Sequence, residues 1–224
     1  MPDRFDPRIE ILPPAQQEIW SQLAPARIFS FVLYGGTAVA LHLGHRISMD
    51  FDFFQAAPLE KRKIEASFGF MGKARTIQED ENTLVVDVPM PSGQVKVSFF
   101  GGLSLGRIND PLLTKDQVLL VASLEDLLAT KLKAILDRAE AKDYRDISAM
   151  LAAGVSLERA LGAFAKMYRK DPGLPLRAIG FFRDGDLPSL PKADQELLRA
   201  TRDAISEVPD IALRKGLLET IGGG

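Results

Sequence analysis

Phe31-Val-Leu-Tyr-Gly-Gly-Thr-Ala-Val-Ala-Leu-His-Leu-Gly-His-Arg-Ile-Ser-Met-Asp-Phe-Asp-Phe-Phe54 is the stretch that decides the fold. An apolar run over residues 29–34 stops at Gly35-Gly36, as a buried strand would. Thr37 to Leu43 then has the composition of a helix opening directly after the glycines. Residues 49–54 alternate Met, Asp, Phe, Asp, Phe, a period of two that puts Asp50 and Asp52 on one strand face. Strand, turn, helix and strand thus occupy a single short unit.

Working outward, Pro13-Pro14 suits the opening of a short helix over residues 15–23. Pro58 starts a charged helix that runs to about Ser67. Three more strands are predicted at residues 74–78, 83–88 and 94–100. The last two are joined by Pro89-Met90-Pro91-Ser92-Gly93, which has hairpin chemistry. Residues 117–121 read as a short edge strand. From Ser123 the pattern is helical, with Ser123 and Asp126 spaced as a cap and with Gly154 and Pro172 as breaks. Strands first and helices afterwards predict an α+β fold, a mixed sheet flanked by helices and followed by a helical C-terminal part. The predicted domains are 1–122 and 123–224, the second completing an active-site cleft. The terminal Gly222-Gly223-Gly224 is expected to fray.

Composition narrows the chemistry. The 224 residues include no cysteine and two histidines, His42 and His45, so thiolate and multi-histidine metal sites are excluded. A metal here must sit on carboxylates, which favours Mg²⁺ or Mn²⁺. The formal charge is −2 with no long basic block, so general coating of a polyanion is not expected, although a local basic groove is compatible with it. The N-terminal residues lack the layout of a signal peptide, and residues 28–43 are too short to span a bilayer. The chain is expected to be cytoplasmic, with no membrane partner.

Nucleoside triphosphates require backbone N–H groups at a helix N-terminus that side chains do not obstruct, and Gly35-Gly36 would supply them. The Thr37 hydroxyl would add a donor. Carboxylates two apart on a strand project side by side, as a metal bound to phosphates requires. Taken alone, the glycines describe an ordinary strand-to-helix turn, and the aspartates a solvated strand face. Phenylalanines around Asp50 and Asp52 argue for a central strand, where paired like charges are costly without a cation. Arg46 is placed to meet a phosphate or to pair with Asp50, and His45 to lie at the surface. The Phe99-Phe100 and Phe181-Phe182 pairs are read as core.

The helix after Ser123, taken at 100° per residue, puts Leu132, Ile135, Leu136, Ala139 and Ile147 on one arc. Lys131, Arg138 and Lys142 form a stripe beside it, spaced for successive phosphates. Asp143 and Asp146 fall inside the arc, where an unpaired carboxylate is expensive. For Asp143 two readings stay open: a functional carboxylate, or the cap of a new helix begun near Ala141. Asp146 is expected to be functional or ion-paired.

Gly35-Gly36-Thr37 followed by Asp50-Phe51-Asp52 resembles the G-[GST]-x-D-x-D signature of the DNA polymerase β-like nucleotidyltransferase superfamily. The full string from Gly35 to Phe54, together with Lys131-Leu-Lys-Ala-Ile-Leu-Asp-Arg-Ala-Glu-Ala-Lys-Asp-Tyr-Arg-Asp146, resembles the AbiEii toxin family of type IV toxin–antitoxin and abortive-infection systems. The likeness spans roughly residues 31–146, with a fainter echo at 178–188. It implies a Mg²⁺-dependent nucleotidyltransferase that uses an NTP, with RNA or a tRNA 3′ end as acceptor and a cognate antitoxin as partner. The implied catalytic residues are Asp50, Asp52, Lys131, Asp143 and Asp146, the first two being the metal ligands. The implied nucleotide-binding residues are Gly35, Gly36, Thr37, Arg46, Ser48, Arg138 and Lys142. A protein or small-molecule hydroxyl is a second acceptor class. Polymerase β-like enzymes usually carry a third carboxylate on a neighbouring strand, whereas the strand Val95-Lys-Val-Ser-Phe-Phe100 presents Ser98. Asp87 is the nearest alternative. This departure keeps open a catalytically idle nucleotide- or partner-binding module.

Overall fold

The structure is a computed structural model that describes residues 2–214. The chain forms two compact units, residues 2–105 with Asp110–Ala122, and Gly106–Asn109 with Ser123–Arg214. Gly222, Gly223 and Gly224 lie outside the described residues.

The first unit is built on one mixed eight-stranded sheet. Its strands are β1 (Arg4–Phe5), β2 (Val32–Tyr34), β3 (Asp50–Phe54), β4 (Arg75–Asp80), β5 (Thr83–Met90), β6 (Gly93–Phe100), β7 (Leu112–Thr114) and β8 (Leu120–Val121). They run in the order β1-β7-β8-β2-β3-β6-β5-β4. Helices α1 (Pro14–Ile19), α2 (Gly35–Leu43) and α3 (Lys61–Ser67) belong to this unit. β3 lies inside the sheet, antiparallel to β2 and parallel to β6. Phe51, Phe53, Phe99, Val97 and Leu33 are fully buried on one sheet face, where Trp20 and Phe68 meet them. Each large apolar side chain so buried contributes about 1.5–3 kcal/mol. A slip of β3 by one residue would expose Phe51 and Phe53 and bury Asp50 and Asp52, so the core fixes the register.

Several predicted elements differ in extent. The strand at 29–34 is confined to Val32–Tyr34, because Ser30 adopts a left-handed conformation at φ 58° in the turn before it. The following helix begins at Gly35 rather than Thr37. Pro89 and Met90, assigned to the hairpin connection, are the end of β5 and pair with Gln94 and Gly93. The edge strand at 117–121 shortens to β8, and it is interior, lying between β7 and β2. The edge is β1, which pairs with β7; both are too short to show a periodicity in the sequence. The predicted phenylalanine pairs split. Phe99 and Phe182 are buried, whereas Phe100 packs edge-on against Phe54 on the opposite sheet face and Phe181 is exposed, since neighbours in extended chain point oppositely.

The second unit contains α4 (Leu124–Asp137), α5 (Ala141–Ala152), α6 (Leu157–Tyr168), α7 (Gly173–Ala178) and α8 (Lys192–Asp203). The Ser123 hydroxyl caps α4 by accepting the Asp126 N–H at 3.1 Å. The buried Asp126 carboxylate accepts the N–H groups of Ile108 at 2.7 Å and Asn109 at 3.1 Å, which ties residues 106–109 to the helices. No helix among the described residues is long and apolar enough to cross a membrane.

His42, on α2, is held against the Ala122 carbonyl at 3.0 Å, and its ring stacks on Phe5 at 4.2 Å. Burial lowers its pKa, and the hydrogen bond to Ala122 only partly offsets this. An unfolded histidine takes up its proton near pH 6.5, before the folded one does. Stability is therefore full above about pH 6.5 and falls as the pH drops towards the lower folded value. Urea unfolding at about pH 7 and about pH 5.5 should show this loss, and His42→Gln should flatten it. An equal loss in His42→Gln would assign the pH dependence to other groups.

Candidate nucleotide and cation site

The turn from β2 into α2 is built around its glycines. Gly35 has φ 77°, and a Cβ there would lie 2.6 Å from Asp52 Oδ2. A Cβ on Gly36 would lie 2.6 Å from Arg46 Nη2 and 2.9 Å from Ser48 Oγ. The turn thus brings Asp52, Arg46 and Ser48 against one backbone segment at the start of a helix, whose N–H groups and dipole favour anions. Thr37 is fully buried, and its hydroxyl donates to the Asp50 carbonyl, so it ties α2 to β3 and is not directed at a phosphate as predicted. Arg46 donates to the Ile47 carbonyl at 2.9 Å.

Strand pairing sets the neighbours of the two carboxylates. Asp52 is opposite Tyr34 on one side and Ser98 on the other; Asp50 is opposite Lys96. Lys96 is in turn opposite Asp87, and Asp87 opposite Arg75. Acid and base therefore alternate along the row Asp50, Lys96, Asp87, Arg75 on one sheet face. Lys96 Nζ lies 2.9 Å from Asp50 Oδ2, and Arg75 Nη2 lies 3.7 Å from Asp87 Oδ2. Asp87, the sequence alternative to Ser98, thus has two cations as its strand neighbours. Lys96 was not among the predicted site residues, although the Val-Lys-Val-Ser alternation already put it on the face of Ser98.

No group of three or more potential metal ligands is found among the described residues. Asp50 and Asp52 share a face, and Asp50 is partly exposed, so the pair suits one hard divalent ion whose other ligands come from phosphate and water. A second ion would need a further carboxylate, and the adjoining positions on β6 hold an ammonium and a hydroxyl.

In the helical unit, the reading with a new helix begun near Ala141 holds over that of one continuous helix. α4 ends at Asp137, Arg138 is extended at φ −153° and ψ 147°, and α5 starts at Ala141. Lys131, Arg138 and Lys142 accordingly do not form one stripe. Glu140 occupies the cap position without a side-chain cap bond, and Asp143 lies in the first turn of α5. Asp143 and Asp146 are both fully buried. Lys131 Nζ, itself nearly buried, sits 2.7 Å from Asp143 Oδ1 and 2.6 Å from Asp146 Oδ2. Arg138 Nε donates to Asp143 Oδ2 at 2.7 Å. Burial would raise the Asp143 pKa, but the Arg138 hydrogen bond and the charge and hydrogen bond of Lys131 outweigh it, leaving the pKa below the ordinary value. Lys142 pairs with Glu140 at 2.7 Å on the surface.

Residues 29–215 match the family model described as nucleotidyl transferase AbiEii toxin, type IV TA system. An uncharacterised protein of Aquifex aeolicus (strain VF5) is 28% identical over 158 residues, covering 69% of this chain and 74% of the relative. Among solved structures, the nucleotidyltransferase toxin MenT4 of Mycobacterium tuberculosis H37Rv superposes with a TM-score of 0.56 at 16% identity, over 83% of this chain and 82% of that one. The antibiotic-resistance factor ANT(2″)-Ia gives a TM-score of 0.49 at 16% identity, over 67% and 89% of the two chains. The chain belongs to the AbiEii nucleotidyltransferase toxin family and has a nucleotidyltransferase fold.

Removing one partner of a buried ion pair leaves the other charge uncompensated, at a cost of about 3–5 kcal/mol. Lys131→Ala should lower stability by that amount in chemical denaturation. Lys131→Ala with Asp146→Asn, which removes one positive and one negative charge, should recover part of the loss. A cost under about 1 kcal/mol for Lys131→Ala would mean that the cluster is solvated and structurally minor.

Proposed function

We propose that this member of the AbiEii family transfers a nucleotide from an NTP to an acceptor hydroxyl. The acceptor class is RNA, with a tRNA 3′ end foremost, and the chain works in the cytoplasm beside a cognate antitoxin. The observation that carries this reading is Asp52 lying against the Gly35 turn at the start of α2, with Asp50 on the same face of β3. The bound divalent ion, Mg²⁺ or Mn²⁺, would supply charge neutralisation at the phosphates and activation of the attacking oxygen. Asp50 and Asp52 would hold it. The N–H groups of the glycine turn, with Arg46 and Ser48, would bind and orient the triphosphate, and Thr37 would keep α2 and β3 in place. The acceptor oxygen attacks the α-phosphorus, the bond from that phosphorus to the bridging oxygen breaks, and pyrophosphate leaves. The acceptor proton passes to a carboxylate or to water.

In the helical unit, Lys131, Asp143 and Asp146 are proposed as further catalytic groups, with Arg138 and Lys142 as phosphate-binding ones. Arg138 and Lys131 hold the Asp143 carboxyl below the ordinary carboxylate range, and a carboxylate perturbed by named charge partners is a functional-site signal that supports the assignment.

The test incubates the full chain with each labelled NTP, Mg²⁺ and total RNA, and follows label into RNA. Wild-type protein should label RNA with at least one NTP. Asp52→Asn should abolish labelling, because an amide cannot replace a carboxylate as a ligand of a hard divalent ion. Full transfer by an Asp50→Asn, Asp52→Asn double variant would overturn the proposal.

A second reading, an NTP- or partner-binding module without turnover, is favoured by Ser98 standing opposite Asp52. A hydroxyl is a neutral and weak ligand compared with a carboxylate. If Ser98 occupies the third-carboxylate position, Ser98→Asp should raise the transfer rate more than it raises NTP affinity. Unchanged or abolished turnover in a folded Ser98→Asp protein would move that role to Asp87 or Asp143.

A further inference from the structure

Resting on the assignment of Asp50 and Asp52 as cation ligands, we propose that Lys96 is a built-in cation of the nucleotide site. Its ammonium permanently takes the charge-neutralising place of a second divalent ion, and the chain accordingly binds one such ion. Lys96 is on β6 directly opposite Asp50, and its Nζ is 2.9 Å from Asp50 Oδ2. The side chain is 42% exposed and that of Asp50 40%, so both groups are accessible to a ligand from solvent. A plain cross-strand ion pair accounts for the contact but not for its direction. Lys96 has carboxylates opposite it on both sides, Asp50 on β3 and Asp87 on β5. Lys96 is ion-paired with Asp50, while Asp87 is paired with Arg75 at 3.7 Å. The row therefore delivers the ammonium to Asp50, one of the two carboxylates.

The β6 position beside Asp52 is Ser98, 2% exposed and neutral. The two β6 residues flanking the carboxylates thus carry a net positive charge where a second hard ion would need a negative one. An ammonium at this distance from a metal ligand opposes entry of a divalent ion and supplies part of the charge that ion would bring. When a triphosphate arrives, the same group on its flexible four-carbon stem can turn from Asp50 to a phosphate oxygen.

The experiment titrates the full chain with Mn²⁺ alone and counts bound ions by electron paramagnetic resonance, in wild type, Lys96→Met and Lys96→Arg. Wild type should bind one Mn²⁺ per chain. Lys96→Met should bind Mn²⁺ about ten-fold more tightly, because the competing charge is gone, and Lys96→Arg should stay near wild type. Transfer into RNA by Lys96→Met should fall despite the tighter ion, a combination that a merely structural lysine would not produce. Two ions in wild type, or unchanged Mn²⁺ affinity in a folded Lys96→Met, would overturn the role of Lys96 alone. If no variant binds Mn²⁺, the cation assignment of Asp50 and Asp52 falls with it. Thermal melting of Lys96→Arg beside Lys96→Met separates loss of fold from loss of charge.

Discussion

The alternation Asp50-Phe51-Asp52-Phe53 in β3 is the constraint on which the rest depends. Phe51 and Phe53 are fully buried among Phe31, Phe99 and Trp20, and their burial outweighs anything the aspartates gain or lose by facing solvent. Because the side-chain period is two, packing the phenylalanines dictates where the carboxylates point. The site is thus aimed by the core. The parallel alignment with β6 then selects Lys96 and Ser98 as lateral neighbours, and the antiparallel alignment with β2 brings Tyr34 beside Asp52. The hydroxyl bond from Thr37 to the Asp50 carbonyl links this strand to the helix that starts at the glycine turn.

The two charge clusters use different physics. Around β3 the charges are partly exposed and alternate along a row, an arrangement that water and salt screen and that an arriving ion or phosphate can rearrange. In the helical unit the charges are enclosed. Asp143 and Asp146 have no access to water, so Lys131 is held by two carboxylates at once and Arg138 completes the neutralisation. Such a cluster costs desolvation energy that an apolar core would not, and removing any one member leaves another charge unpaired.

The strand–turn–helix–strand unit was legible in the sequence because every signal in it is local: an apolar run, two glycines, a short helix and a strict two-residue period. The burial of Asp143 and Asp146 was also legible, since both fell inside an apolar arc. Of the two readings of the helix after Ser123, the one with a new helix begun near Ala141 holds, and the stripe drawn along one continuous helix does not. The extended backbone at Arg138 has no proline or glycine to announce it, and it changes the direction of everything after Asp137. Thr37 was read as a phosphate donor, whereas its hydroxyl donates to the Asp50 backbone carbonyl, a partner that the local pattern does not encode. Lys96 was visible and passed over: its importance comes from the register between β3 and β6, a long-range pairing that periodicity within one strand does not encode.

The order of strands across the sheet has a bearing on how the protein is made. β2 receives its parallel partner only from Leu120 and Val121, and β1 is held by Leu113 and Thr114 at the far end of the same unit. A chain emerging from the ribosome therefore has β1 unpaired until Thr114 is out, and β2 paired on one side only, with β3, until Val121 is out. Pairings so distant in sequence form late and slowly. The strands around the carboxylates can pair once Phe100 is out, whereas the β1-β7-β8 side of the sheet closes only at the end of this unit, so a toxin-family chain has its carboxylate strands in place before the sheet is finished.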